Sequence, residues 1–244
     1  MGRGANPKRR EILHRQALKH LYRTLIANAS AIPFPLEMNS PLIPVSCSSV
    51  LEILIGNIAS GKSSWTEPRA SEGWVTVNND SLARSMHGGN YDWERQIPGL
   101  KTSLGILIVE TAGAQGRSVV IDNTNRTSSG RLPFVAAARR AGMKVRAILF
   151  PRSSPETHAR RRFEADARGM PHDYWLEVAR LVDQEWAPPG DDEVDDLVCL
   201  PENWRETVLA EQSRGGPVDL DRLFRGDGYP EVGLTRKIEV DSPV

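Results

Sequence analysis

The chain has 244 residues, 39% of them hydrophobic, and a formal net charge of zero, which leaves room for one sizeable α/β domain with appendages or at most two small domains. The balanced charge argues against an indiscriminate nucleic-acid binder, although it leaves room for a local basic groove. Cys47 and Cys199 stand apart from any C-x-x-C spacing, so neither a disulfide framework nor a zinc site is suggested, and no apolar run approaches the roughly 18 residues of a membrane span.

In chain order, residues 8–26 predict an amphipathic helix, with Leu13, Ala17, Leu18, Leu21, Tyr22 and Leu25 on one face and Arg15, Lys19 and Arg23 on the other. Basic and almost free of acids, this N-terminal segment (1–30) suits a nucleic-acid contact, an organelle-targeting presequence or a docking helix. Residues 31–49, with Pro33, Pro35, Pro41 and Pro44, predict a linker, and the folded domain (50–244) is expected to begin near Val50.

The apolar run Val50, Leu51, Ile53, Leu54, Ile55 leads directly into Gly56-Asn57-Ile58-Ala59-Ser60-Gly61-Lys62-Ser63, which fits G-x-x-x-x-G-K-S/T. Glycines at both ends let the backbone curl round an anion and aim N–H groups at it, while the following helix adds the positive end of its dipole. Lys62 then reaches the β- and γ-phosphates of a nucleotide, and the Ser63 hydroxyl sits on Mg2+. Pro68 falls inside the next helix and removes one hydrogen bond, so that helix should be short or kinked.

Trp74-Val75-Thr76-Val77 predicts a second strand, followed at once by Asn78-Asn79-Asp80. In an open parallel sheet the groups just beyond strand C-termini face the ligand crevice, which puts Asp80 on the same rim as the cradle. A Gly- and aromatic-rich loop follows (His87 to Trp93). The stretch 100–114 suits strand or helix, because Ile106-Leu107-Ile108-Val109 is β-prone; helix is favoured because a further strand, Ser118–Ile121, comes only a short turn later. That strand ends in Asp122-Asn123-Thr124-Asn125, again at the crevice. Residues 128–141 predict a helix closed by Gly142, and Lys144–Phe150 the next strand. Alternating strands and helices with polar groups after each strand define an α/β, doubly wound parallel sheet with helices on both faces.

Four stretches between about Leu51 and Trp175 together resemble the kinase domain of polynucleotide 5′-hydroxyl kinases: the cradle Ile55–Ser64; Val77-Asn78-Asn79-Asp80-Ser81-Leu82; Ile121-Asp122-Asn123-Thr124-Asn125 with Arg131 and Ala137–Gly142 behind it; and the Arg-rich segment after Phe150. The resemblance implies a P-loop kinase-type fold with an Arg-rich helical lid at about 155–175. It implies ATP and Mg2+ as cofactors and a nucleic acid with a 5′-OH end, DNA or RNA, as partner. Gly56, Ser60, Gly61, Lys62, Ser63 and Ser64 would hold the donor phosphates, with Asp122 and Thr124 beside them and Asp122 near the metal or Lys62. Asp80 matches the family's general base, a role contributing about 10²–10⁴ in rate, although an Asx residue there also suits a helix cap. Asn125, Arg131 and Arg84 would face the acceptor strand.

In the lid, Arg160, Arg161, Arg162 and Arg168 are the candidates for contact with the transferring phosphate, Arg162 being preferred. An arginine in that role is worth roughly 10³–10⁵ in turnover. The family's pair of arginines four apart is not reproduced, since Glu164, Ala165 and Asp166 occupy the following positions.

Beyond Trp186, Pro188-Pro189-Gly190 and the acidic run Asp191–Asp196 suggest a surface insertion at about 187–228, and Tyr229 to Val240 a returning last strand. No Asp-x-Asp-Gly-Thr phosphatase signature is present. A small-molecule or nucleoside kinase on the same fold, or a non-catalytic ATP-dependent binding module, are the alternatives. The resemblance implies a nuclear or cytoplasmic site; the basic N-terminal helix also suits a mitochondrial one.

Overall fold

The computed structural model describes residues 49–89, 99–166, 168–215 and 218–225. The N-terminal helix, nearly all of the proline-rich linker, Cys47, the loop from Asn90 and the expected last strand near 229–240 lie outside the described residues.

Five strands form one parallel sheet in the order β2-β3-β1-β4-β5: β1 Val50–Ile55, β2 Val75–Val77, β3 Val119–Ile121, β4 Lys144–Leu149 and β5 Asp196–Cys199. β1 is the centre, which is why it reads as an almost unbroken apolar run: both of its faces are covered. Side chains alternate across the pleat. Leu51, Ile53 and Ile55 join Val119, Ile121, Val145 and Ala147 on one face, while Leu54, Val120, Ile148 and Val198 point to the other.

Helices α3 (Leu100–Ala114) and α4 (Ser128–Arg140) close the first face. The β-prone segment Ile106–Val109 is helical because its surroundings demand a helical stripe: Gly105, Val109, Ala112 and Gly113 are the buried positions of α3, at spacings of four, three and one. The second face is closed by α1 (Lys62–Ser71), α7 (Trp204–Gln212) and α8 (Leu220–Arg225) through Trp65, Trp204, Val208, Leu220 and Phe224. As expected, α1 is short, ten residues running through Pro68. α2 (Asn79–Met86) follows β2 directly, and α5 (Pro155–Glu164) with α6 (His172–Gln184) makes the lid. No described helix is long and apolar enough to cross a membrane.

The region after Trp186 corrects the expectation of a surface insertion. Its acidic run leads into β5, which pairs with β4 from Asp196 to Cys199, and the helices that follow help α1 to cover one face of the sheet. The acids misled because arginines already in the domain pair with three of them, Glu193, Asp195 and Asp196. Glu193, 4% exposed, is clamped by Arg131, and Asp221 bonds Arg69 and Arg146, which also hold the fully buried Glu52. Asp195 accepts the Val145 N–H at 2.7 Å and so extends the β4–β5 pairing. Charge in sequence signals a solvated face only where no buried counter-charge waits for it.

Candidate active site

The loop between β1 and α1 is bent by two left-handed residues, Ala59 (φ 49°) and Gly61 (φ 101°). Gly61 must be glycine twice over: its φ is disfavoured for other residues, and a Cβ there would come within 2.6 Å of the buried Trp204 ring. Long-range bonds pin the loop. The Gly56 N–H donates to the Thr124 carbonyl at 3.2 Å, and Asn57 Nδ2 donates to the Ala179 carbonyl of α6 at 2.9 Å.

Lys62 folds back across this loop, its ammonium donating to the carbonyls of Gly56 (2.9 Å) and Asn57 (2.6 Å) and to Ser60 Oγ (3.2 Å). Burial lowers its pKa to about 8, against the pull of the Asp122 carboxylate, so the lysine stays mostly charged at neutral pH. Asp122, at the end of β3, faces α1 from across the crevice. Its Oδ2 accepts the Ser63 hydroxyl at 3.1 Å and Asn78 Nδ2 at 3.2 Å. Burial raises the Asp122 pKa, opposed by Lys62 and by these two donors, and the nearby Asp80 charge raises it further.

Asn78 is the residue that joins the two strand ends. Its amide also donates to the Asp122 carbonyl at 2.8 Å, while its Oδ1 accepts the Ser81 N–H and caps α2. The capping duty therefore falls to Asn78, and Asp80 in the first turn of α2 is exposed, with no hydrogen-bond or ion-pair partner among the described residues. Asn79 is tied to β3 as well, its N–H donating to Asn123 Oδ1 at 2.9 Å.

The lid closes the other side. Ser154 caps α5, and Glu156 of α5 pairs with Arg180 of α6 at 3.1 Å. Trp175 on α6, 4% exposed, has the guanidinium of Arg162 at 4.7 Å from its ring centre and that of Arg168 at 4.8 Å. A cation–π contact of this kind holds a guanidinium in place without neutralising it. Arg168 is in addition paired with Asp166 at 3.0 Å.

Cradle, strand ends and lid enclose a cleft of about 1050 Å³, lined by Lys62, Ser63, Asp80, Asp122, Thr124, Arg126, Arg161, Arg162, Arg168 and Arg205 among others. Pockets for drug-sized ligands run to about 300–1,000 Å³, so this cleft lies at the upper end of that range. Ser60, Gly61 and Ser64 line it with them, whereas Gly56 lies behind the loop, where a Cβ would meet Ser60 Oγ and Phe150.

Several expected contacts fall elsewhere. Asn125 is buried, and its amide donates to the carbonyls of Leu54 (2.7 Å) and Ile121 (3.2 Å), which makes it a staple between β1 and β3. Arg131 is fully buried; it bonds both carboxylate oxygens of Glu193 and the carbonyls of Asn125, Ala187 and Pro188. Neither can touch an acceptor strand. Of the lid arginines, Arg161, Arg162 and Arg168 line the cleft and Arg160 does not; exposed Arg84 does not line it either. The helical period explains the first of these, since α5 buries His158 and Ala159 and turns Arg161 and Arg162 inward. Asn78, Arg126 and Arg205 were not singled out in the sequence. Asn78 stood in a motif whose aspartate drew the attention, and Arg205 lay in the stretch read as an insertion.

A strand–loop–helix cradle at the C-terminal edge of a parallel sheet, faced by the carboxylates of two neighbouring strand ends, defines a P-loop kinase fold. A family model described as "AAA domain" matches residues 51–180, more than half of the chain, and the protein belongs to that family. Among solved structures, a candidate kinase from Chloroflexus aurantiacus is similar at a TM-score of 0.52, with 16% identity over 70% of this chain and 98% of that one, a likeness that shows the fold. A fungal RNA kinase (TM-score 0.45, 17% identity, 76% and 93% covered) and a gluconokinase from Sinorhizobium meliloti (0.39, 16%, 69% and 94%) are more distant and add nothing to that statement.

Proposed function

We propose that the protein is an ATP- and Mg2+-dependent kinase that transfers the γ-phosphate to the 5′-hydroxyl end of DNA or RNA. The observation that carries the reading is Asp80: an exposed carboxylate without an ionic partner among the described residues, on the same crevice as Lys62 and Ser63. Phosphoryl transfer to an alcohol needs an acceptor for the hydroxyl proton, and Asp80 is the available one on that rim. The acceptor oxygen forms its bond to the γ-phosphorus as the bond to the leaving β-phosphate oxygen breaks, and its proton passes to the Asp80 carboxylate. The choice of a polynucleotide over a small alcohol rests on the Val77–Leu82 and Ile121–Asn125 motifs.

Lys62 would exchange its bonds to the loop carbonyls for phosphate oxygens, and Arg161 or Arg162 would meet the charge that spreads over the transferring group. Ser63 and Asp122 fit a magnesium ion, since they bring a hydroxyl and a carboxylate oxygen within 3.1 Å, and magnesium bound to nucleotides takes one or two protein oxygens beside phosphate and water. When bound, the ion would neutralise charge on the phosphates. An acceptor strand gripped through its phosphates should bind less tightly as salt rises.

The test is transfer of labelled γ-phosphate from ATP to a 5′-OH oligonucleotide by wild type, Lys62→Ala and Asp80→Asn. Both variants should lose the activity, Asp80→Asn by about 10²–10⁴. Label appearing on free sugars or nucleosides but not on the oligonucleotide would replace the acceptor, and an Asp80→Asn enzyme of near wild-type rate would remove the mechanism.

A further inference from the structure

Arg205, in the first turn of α7, comes from a part of the chain that precedes neither a motif nor a predicted site residue, yet it lies against the phosphate loop. A Cβ built on Gly61 would stand 2.6 Å from Arg205 Nε and 2.7 Å from its Nη2, so the guanidinium covers the backbone at the point where the loop becomes α1. It lines the same cleft as Gly61, Lys62 and Ser64.

Its position is built in rather than incidental. The preceding residue, Trp204, is 2% exposed and wedged edge-on between Trp65 of α1 (6.1 Å between ring centres) and Phe150 after β4 (5.3 Å). That aromatic cluster fixes the start of α7 relative to the start of α1. Arg205 itself is exposed and forms no ion pair or hydrogen bond among the described residues; besides Gly61 it meets the face of Trp204, 5.7 Å away. The other arginines of this face, Arg69 and Arg146, are saturated by Glu52 and Asp221. An un-neutralised guanidinium beside the N–H groups of a helix start is arranged for an anion, and its fork of donors matches phosphate oxygens.

We infer that Arg205 is a donor-binding residue, which closes the phosphate cradle from the α7 side by contacting the polyphosphate chain of the nucleotide. The inference rests on the reading of the Gly56–Ser63 loop as a nucleotide cradle and is independent of which acceptor is phosphorylated.

Calorimetric titration of the full-length protein with Mg-ADP and, separately, with inorganic tripolyphosphate tests it in wild type, Arg205→Ala and Arg205→Lys. Arg205→Ala should weaken both ligands to a similar degree, roughly tenfold, and Arg205→Lys should recover most of that because a point charge remains. Equal melting temperatures of the three proteins show that α7 has kept its place. Weakened ADP with unchanged tripolyphosphate would overturn the inference in favour of a contact to the base. Unchanged affinity for both would overturn it outright. A protein that phosphorylates no oligonucleotide yet loses tripolyphosphate affinity in Arg205→Ala would remove the proposed acceptor and leave this contact standing.

Discussion

Arginine serves two opposite purposes in this molecule. Beneath the sheet and behind the crevice, Arg69, Arg131 and Arg146 are nearly inaccessible, and each is met by carboxylates: Glu52 and Asp221 for the first and third, Glu193 for the second. Burial works against the charge of Arg69, but Glu52 and Asp221 hold its pKa above the usual arginine value. Around the cleft, Arg162 lies over the face of Trp175, and Arg205 lies over Trp204 beside Gly61, with no carboxylate on either among the described residues. The side chain is identical; what differs is whether its charge is already spent. A neutralised guanidinium is a bolt, whereas an un-neutralised one facing a cleft still has its charge to offer an anion.

The sharpest break in that comparison would come from the lid. Arg162→Ala should lower turnover by roughly 10³–10⁵ while leaving the melting temperature where it was. If Arg161→Ala has that effect and Arg162→Ala does not, the charge delivered to the transferring phosphate comes from the adjacent position, and the contact with Trp175 is merely structural.

Arg131→Ala should do the reverse. It strands Glu193 as a buried unpaired carboxylate and releases three carbonyls, for a loss of about 3–5 kcal/mol in chemical denaturation, with donor affinity of the remaining folded protein intact. Restored stability in Arg131→Met paired with Glu193→Leu would show that charge matching, and not the charge itself, is what the fold requires.

Lysine can titrate where arginine cannot. With its free-state pKa lowered to about 8, Lys62 loses its proton just above neutrality, and nucleotide binding must then restore it. Affinity for Mg-ADP should hold below pH 8 and fall above it, by at most tenfold per pH unit, and Lys62→Arg should remove that dependence even if it binds more weakly.

A last effect concerns His158, buried on α5 behind the phosphate loop, where it accepts the Ser153 N–H at 3.3 Å. Burial, with help from the Lys62 and Arg161 charges and against a contact to the Ile58 backbone, lowers its pKa to about 4. The unfolded chain takes up a proton near pH 6.5 and the folded chain does not until about 4. Stability should therefore be full above pH 6.5 and decline as pH falls towards 4, by at most about 3 kcal/mol, a dependence that His158→Gln abolishes in pH-dependent melting.

Much of the site was legible locally. The Gly56–Ser63 loop, the strand ends that carry Asp80 and Asp122, and the helix at 100–114 follow from backbone chemistry and periodicity within a few residues, and all lie where they were expected. Asn125 and Arg131 were misplaced for a physical reason: a polar residue next to a strand end serves a ligand or a neighbouring strand according to which groups approach it from elsewhere. Apart from the Asn125 carbonyl, the partners of Arg131 stand 56 to 62 residues away in the chain.

By itself, then, the sequence determined the central strand, the phosphate loop and the succession of strands and helices, because each is set by short-range spacing of apolar, glycine and capping residues. Only the tertiary structure decided that the acidic run after Pro188 leads into the fifth strand, that Arg161 faces the cleft while Arg131 does not, and that Arg205 reaches the loop. Those outcomes depend on which charges and rings meet across long separations. The worth of a charged side chain is set by its partner and its burial, and neither is written next to it in the chain.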